Sequence, residues 1–116
     1  MKMLKILLLS LLALGLTFSY AFAAGDAAKG KALFSDPKFS GGMKACSECH
    51  PNGKGVEKAA GKKEFHIMGK TQKSLEEAVN FCIENANKGK PIDPKSAEMM
   101  NLVAYLKSLK GEMKKK

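Results

Sequence analysis

The run Cys46-Ser47-Glu48-Cys49-His50 decides how the rest of this 116-residue chain is read. Two intervening residues put both thiols on about one helical turn, within reach of the two vinyl groups of a porphyrin. The next residue, His50, can then bring its imidazole under the iron as the proximal ligand. The pattern therefore points to covalent attachment of one haem. The competing readings are an incidental C-x-x-C-H and half of a zinc site. Such a site needs more donors, and His66 and Cys82 do not form a second close pair.

C-x-x-C-H is the attachment signature of the c-type cytochromes, and the chain resembles a small class I member of that family. The resemblance implies an all-α cytochrome c fold, three to four helices around one covalently attached haem c. It also implies Cys46 and Cys49 as the thioether residues and His50 as an iron ligand.

Upstream of the motif, residues 1–23 read as an export signal. Lys2 and Lys5 form the basic start, Ile6 to Leu16 the apolar run, and Ala21-Phe22-Ala23 a small-x-small cleavage site. Cleavage after Ala23 would leave residues 24–116 as one cytochrome c domain. The alternative is an uncleaved membrane anchor, since the apolar stretch from Ile6 to Ala24 is almost long enough to span a bilayer. Both readings carry the domain across a membrane, and the expected location is the periplasm. Contact with a membrane is expected only if the segment is retained.

The chain has 20 lysines, no arginine and 11 acidic residues; without Lys2 and Lys5, 18 against 11 leaves the mature part at +7. A positive field of this size favours redox partner proteins with an acidic docking surface. Nucleic acid is not an expected partner, given the lack of arginine, the few aromatics and the exported address. Lys114-Lys115-Lys116 reads as a solvated end. A mature part this short builds only a modest polypeptide core. The chain without its haem is therefore expected to fold poorly.

A first helix is expected over Asp26–Phe34, capped by Asp26 and stopped by Asp36-Pro37. Gly30 inside it costs about 1 kcal/mol relative to alanine, which calls for a packing reason. In the cytochrome c family the first and last helices cross, a small residue on one facing an aromatic on the other. Gly30, Leu33 and Phe34 against Tyr105 resemble that arrangement. Residues 35–45 read as a loop with Gly41-Gly42 as turn formers, and residues 51–73 as irregular chain around one haem edge.

Ser74–Lys88 is the clearest helix, with a Ser74/Glu77 capping box and an apolar stripe of Leu75, Ala78, Val79, Cys82, Ile83 and Ala86. Gly89 is expected to end it. The last helix is expected from Asp93 as cap and Pro94 at its first position to about Lys110, with Gly111 closing it. Its buried face is Met99, Leu102, Val103, Leu106 and Leu109. No stretch alternates at period two, hence the all-α assignment.

Electron-transfer haems of this kind usually carry a second axial ligand, most often a methionine. In typical small cytochromes c it lies between the last two helices, but here residues 86–95 contain no Met, His or Cys. Four residues are weighed for the distal position. Cys82 lies on the apolar stripe and is the cysteine left over from the attachment pair. The passage from Val79 to Leu109 is also similar to the C-terminal part of cytochromes c in thiosulfate dehydrogenases and related sulfur-oxidising proteins. Some of those use a cysteine sulfur as distal ligand. Met68 and His66 sit in a loop that can fold over the distal face. Met99 lies on the buried stripe of the last helix and reads first as core; Met100 points to another face. A thioether would favour a high potential and a thiolate a lower one.

These readings converge on a periplasmic, single-haem electron carrier rather than an enzyme. One alternative is a haem subunit of a sulfur-compound-oxidising enzyme, with Cys82 as distal ligand. The other is a gas-binding haem protein with an open distal side.

Overall fold

The computed structural model describes residues 25–113. The expected signal or anchor over residues 1–23 and the terminal lysine run lie outside them. Among the described residues no helix is long and apolar enough to cross a membrane. Among the described residues there are four α-helices: α1 (Ala27–Phe34), α2 (Cys46–Cys49), α3 (Leu75–Asn85) and α4 (Ala97–Met113). Three single-turn 3₁₀ segments and a short hairpin connect them.

Asp26 caps α1 as the sequence predicts, its carboxylate accepting from Ala28 N (2.9 Å) and Lys29 N (3.1 Å). The reason for Gly30 is visible at the crossing of α1 with α4, the most extensive contact between elements. A Cβ at Gly30 would lie 1.9 Å from the carbonyl oxygen of Asn101 and 2.8 Å from Tyr105 Cβ. Only a bare backbone permits that approach. One turn further, Phe34 meets Tyr105 edge-on, ring centroids 5.1 Å apart. Phe34, Leu102, Tyr105, Leu106 and Leu109 form the buried cluster around this crossing.

Ser74 caps α3, its hydroxyl accepting from Glu77 N at 3.1 Å. The reciprocal half of the expected capping box is displaced by one residue: the Glu77 carboxylate accepts from Lys73 N (2.8 Å) instead of Ser74 N. The helix ends at Asn85, three residues before the expected Lys88. Lys88, not Gly89, adopts the left-handed conformation (φ 61°). Gly89 is needed for space, because a Cβ there would sit 3.0 Å from Ser40 O.

The last helix also starts later than the sequence predicts. The Asp93 carboxylate accepts from Lys95 N (2.8 Å) and the Asp93 carbonyl from Ser96 N (3.0 Å), closing a turn around Pro94. Ser96 is the effective cap, since its hydroxyl accepts from Met99 N at 3.2 Å. At the other end α4 runs through Gly111 to Met113. The segment leading into it is held by Asn80 of α3, whose amide donates to Ile92 O and accepts from Ile92 N, both at 2.8 Å.

The expectation of no strand is corrected. β1 (Phe65–Ile67) and β2 (Lys70–Gln72) pair antiparallel, with Phe65 opposite Gln72, His66 opposite Thr71 and Ile67 opposite Lys70. Met68 (φ 52°) and Gly69 (φ 77°) both turn left-handed at the tip, the geometry of a two-residue hairpin loop. Three-residue strands are too short to show periodicity in the sequence. The domain remains predominantly helical.

Candidate haem site

Helix α2 and the turn after it present the chemistry of the site. The Glu48 carboxylate accepts from Ala45 N and fixes the start of α2, whose own cap position lacks a polar side chain. His50 leaves helical geometry (φ −126°, ψ 67°) while its N–H still bonds Cys46 O at 2.9 Å. The imidazole Nδ1 then lies 2.9 Å from the carbonyl oxygen of Lys54. A carbonyl only accepts, so Nδ1 carries the proton and Nε2 keeps a free lone pair. A bond from the far ring nitrogen to a backbone carbonyl is what orients histidines for metal binding. Gly55 makes room for it: with φ 96°, it brings its backbone so close that a Cβ would be 3.2 Å from His50 Nδ1.

His50 lines a partly open cavity. Phe34, Leu102 and Leu106 form the wall that the helix crossing contributes; Leu75, Ala78, Val79 and Cys82 form the α3 wall; Phe65 and Ile67 come from β1. Val56 and Ala59 add the loop after His50, and Cys46 lies beside His50. All but the histidine and the two cysteines are apolar.

The three cysteines are placed differently. Cys46 is in the wall, where its sulfur accepts a hydrogen bond from the Asn87 amide at 3.2 Å. Burial pushes its thiol above the ordinary value, and the Asn87 bond partly offsets this. Cys49 is exposed and is not part of the wall. Cys82 stands in the α3 wall of the cavity that His50 also lines. Burial first, then the neighbouring Cys46 and Cys49 sulfurs, raise its thiol as well. Both buried thiols therefore stay protonated at neutral pH in the unliganded protein.

The other distal candidates lie elsewhere. Met68 is 71% exposed at the hairpin tip. His66 is exposed on the outer face, its Nδ1 3.0 Å from Thr71 Oγ1. Met99 is fully buried but does not line the cavity. Among the described residues no three His, Cys, Asp or Glu side chains come together as a metal-binding group. The zinc alternative thus finds no donor set there.

An apolar cavity, a tautomer-fixed histidine and a wall cysteine one helical turn before it match what a covalently held porphyrin requires. They define a cytochrome c domain. A family model for the SoxA/TsdA cytochrome c domain matches residues 29–114, and the chain belongs to that family. Membership carries covalently bound haem c and an electron-transfer role. No curated protein and no solved structure matches the chain.

Asn87 and Asn80 escaped the reading of the sequence. Asn87 is 41 residues from Cys46, and no local pattern marks it. A polar residue next to the end of an apolar helical stripe is the only signal it gives.

Proposed function

We propose that this chain is a periplasmic electron carrier holding one haem c, with Cys46 and Cys49 as thioether residues and His50 as proximal ligand. The observation that carries the proposal is the His50 imidazole: its bond to Lys54 O holds the proton on Nδ1 and leaves Nε2 free, and the residue lines the apolar cavity. When bound, the haem supplies a one-electron ferric/ferrous couple. The protein's part is to hold and insulate it. Gly55 and Lys54 O fix the ring of His50, and Asn87 steadies the Cys46 sulfur. The apolar walls from α1, α3, α4 and β1 exclude water, which keeps reorganisation on electron transfer small. The mature charge of +7 suits a partner with an acidic docking face.

Cys82 is the proposed distal ligand, because it is the one weighed candidate whose side chain stands in the cavity wall. The test is the exported, matured protein, wild type beside Cys82→Ala, Met68→Ala and Met99→Ala. Mass spectrometry should show one covalent haem on the wild type, lost in Cys46→Ala/Cys49→Ala. Conversion to a high-spin spectrum in Cys82→Ala alone is expected; an unchanged spectrum there refutes the assignment. A wild type without a haem adduct refutes the function.

The same sulfur supports a second reading, a subunit of a sulfur-compound-oxidising enzyme, in keeping with the family's name. Thiosulfate turnover by the holoprotein, abolished in Cys82→Ala, would favour it over a carrier. Rapid carbon monoxide binding to the ferrous wild type would instead favour a gas-binding protein.

A further inference from the structure

We propose that the side-chain amide of Gln72 is the hydrogen-bond partner of a haem propionate. The proposal rests on the haem reading above and assigns a residue that reading does not use. Gln72 is only 6% exposed, yet its buried Oε1 has no hydrogen-bond partner among the described residues. Leaving such a group unpaired is unfavourable, so the position calls for a partner.

The hairpin register shows which way it faces. Residues directly opposite in an antiparallel pair share one face. His66 and Thr71 are opposite and exposed, and their side chains bond at 3.0 Å, so theirs is the outer face. Phe65 and Gln72 are opposite and buried, and Phe65 lines the haem cavity. Gln72 therefore stands on the cavity side of β2. Rotating the carboxamide by half a turn exchanges Oε1 and Nε2 without changing its shape, so the buried end can be a donor.

The cofactor narrows the partner. The porphyrin's vinyl groups are consumed by thioethers, its ring is apolar, and its only strong peripheral acceptors are two propionate carboxylates. These leave the macrocycle from the side opposite the vinyls and so need a partner outside α2. The cavity wall has no lysine, and its three polar side chains are those of His50, Cys46 and Cys82. Gln72 holds a buried, unpaired amide end on the face that Phe65 presents to that wall; with the amide flipped, a charge-assisted bond from its Nε2 would satisfy both groups.

The test uses the holoprotein, with covalent haem first verified by mass. In uniformly ¹⁵N-labelled ferrous wild type, made low-spin with carbon monoxide if needed, the Gln72 side-chain amide protons are expected to show NOEs to propionate methylene protons. Resonance Raman of haem-loaded Gln72→Met should show a shifted propionate bending band with the iron–histidine environment unchanged. An assigned Gln72 amide without such NOEs, or an unshifted band in haem-loaded Gln72→Met, overturns the proposal. Should the variant fail to mature, the wild-type NOEs decide. Absence of haem from the wild type is a separate result, which refutes the function itself.

Discussion

Replacing Gly30 by alanine should destabilise the domain although alanine is the better helix former. Within α1 the substitution gains about 1 kcal/mol of helix propensity. Against that, the new Cβ would meet Asn101 O at 1.9 Å, Asn101 C at 2.6 Å and Tyr105 Cβ at 2.8 Å. The first two are backbone atoms of α4 and cannot rotate away, so the helices must separate. Overpacking typically costs about 1–3 kcal/mol, and a clash with backbone belongs at or above the upper end. Separation also weakens the Phe34–Tyr105 edge contact, worth roughly 0.5–1.5 kcal/mol. The net loss is about 2–3 kcal/mol, or roughly 8–24 °C in Tm for a domain of this size. Gly111→Ala is the internal control. It lies near the end of α4, and a Cβ there meets nothing within 4 Å. It should leave Tm unchanged or raise it slightly. Thermal unfolding of both holoproteins, followed by far-ultraviolet circular dichroism, reads the contrast. Equal shifts, or a Gly30→Ala protein as stable as wild type, would refute the close crossing.

Asn80→Leu removes a donor and an acceptor from Ile92 at once and should cost about 2–3 kcal/mol in denaturant unfolding; a cost below 1 kcal/mol would mean the clamp is unimportant. Backbone N–H groups of Glu57 and Gly55 hold the Glu57 carboxyl below its usual range, with Lys54 and His50 adding smaller effects. A lowered carboxylate stabilises the fold above its unfolded pKa and loses that contribution as pH falls through the folded value, so wild type should exceed Glu57→Gln in stability at neutral pH and converge with it below pH 4.5. Gly55→Ala places a Cβ 3.2 Å from His50 Nδ1 on a backbone with φ 96°, and should lower the yield of haem-loaded protein or perturb its iron–histidine band; normal yield and spectrum would contradict the packing. Hydrogen exchange on Cys46→Ala/Cys49→Ala should show protection retained in α1 and α4 and lost in α3 and the hairpin; uniform protection would show that the cavity needs no occupant.

Legibility in the sequence followed the range of the interactions involved. Asp26, Ser74 and the apolar stripe of α3 act within one or two turns, and the sequence marks them directly. Gly30 was legible because a glycine inside a helix demands an explanation; the α4 backbone at Asn101, with Tyr105 beside it, supplies it. The start of α4 was misplaced because Asp93-Pro94 has the composition of a helix start. The same composition also makes a turn, and Ser96, with its hydroxyl bonded on both sides, competes better. At the site, the spacing of Cys46 and His50 is what nominates them. What orients them has no such mark: Lys54 contributes a carbonyl, which every residue has, and Asn87 arrives from 41 positions away. Gln72 was invisible for a similar reason, since only pairing with Phe65 gives it a face.

The packing also explains why a covalent tether suits this architecture. The crossing of α1 and α4 is dense, whereas α3 makes little direct contact with α4. Leu75 and Val79 of α3 and Ile67 of β1 are half-buried, and what lies between them and Leu102 and Leu106 is the cavity. An occupant of that cavity would complete the core by joining its two sides, so its loss would open the α3 side and not just empty a pocket. A reversibly bound occupant would leave the fold dependent on its free concentration. Attachment through α2, which Asn87 just beyond α3 hydrogen-bonds at Cys46, would remove that dependence. Stability and redox function then draw on the same set of contacts, and a substitution that loosens the cavity wall should disturb both together.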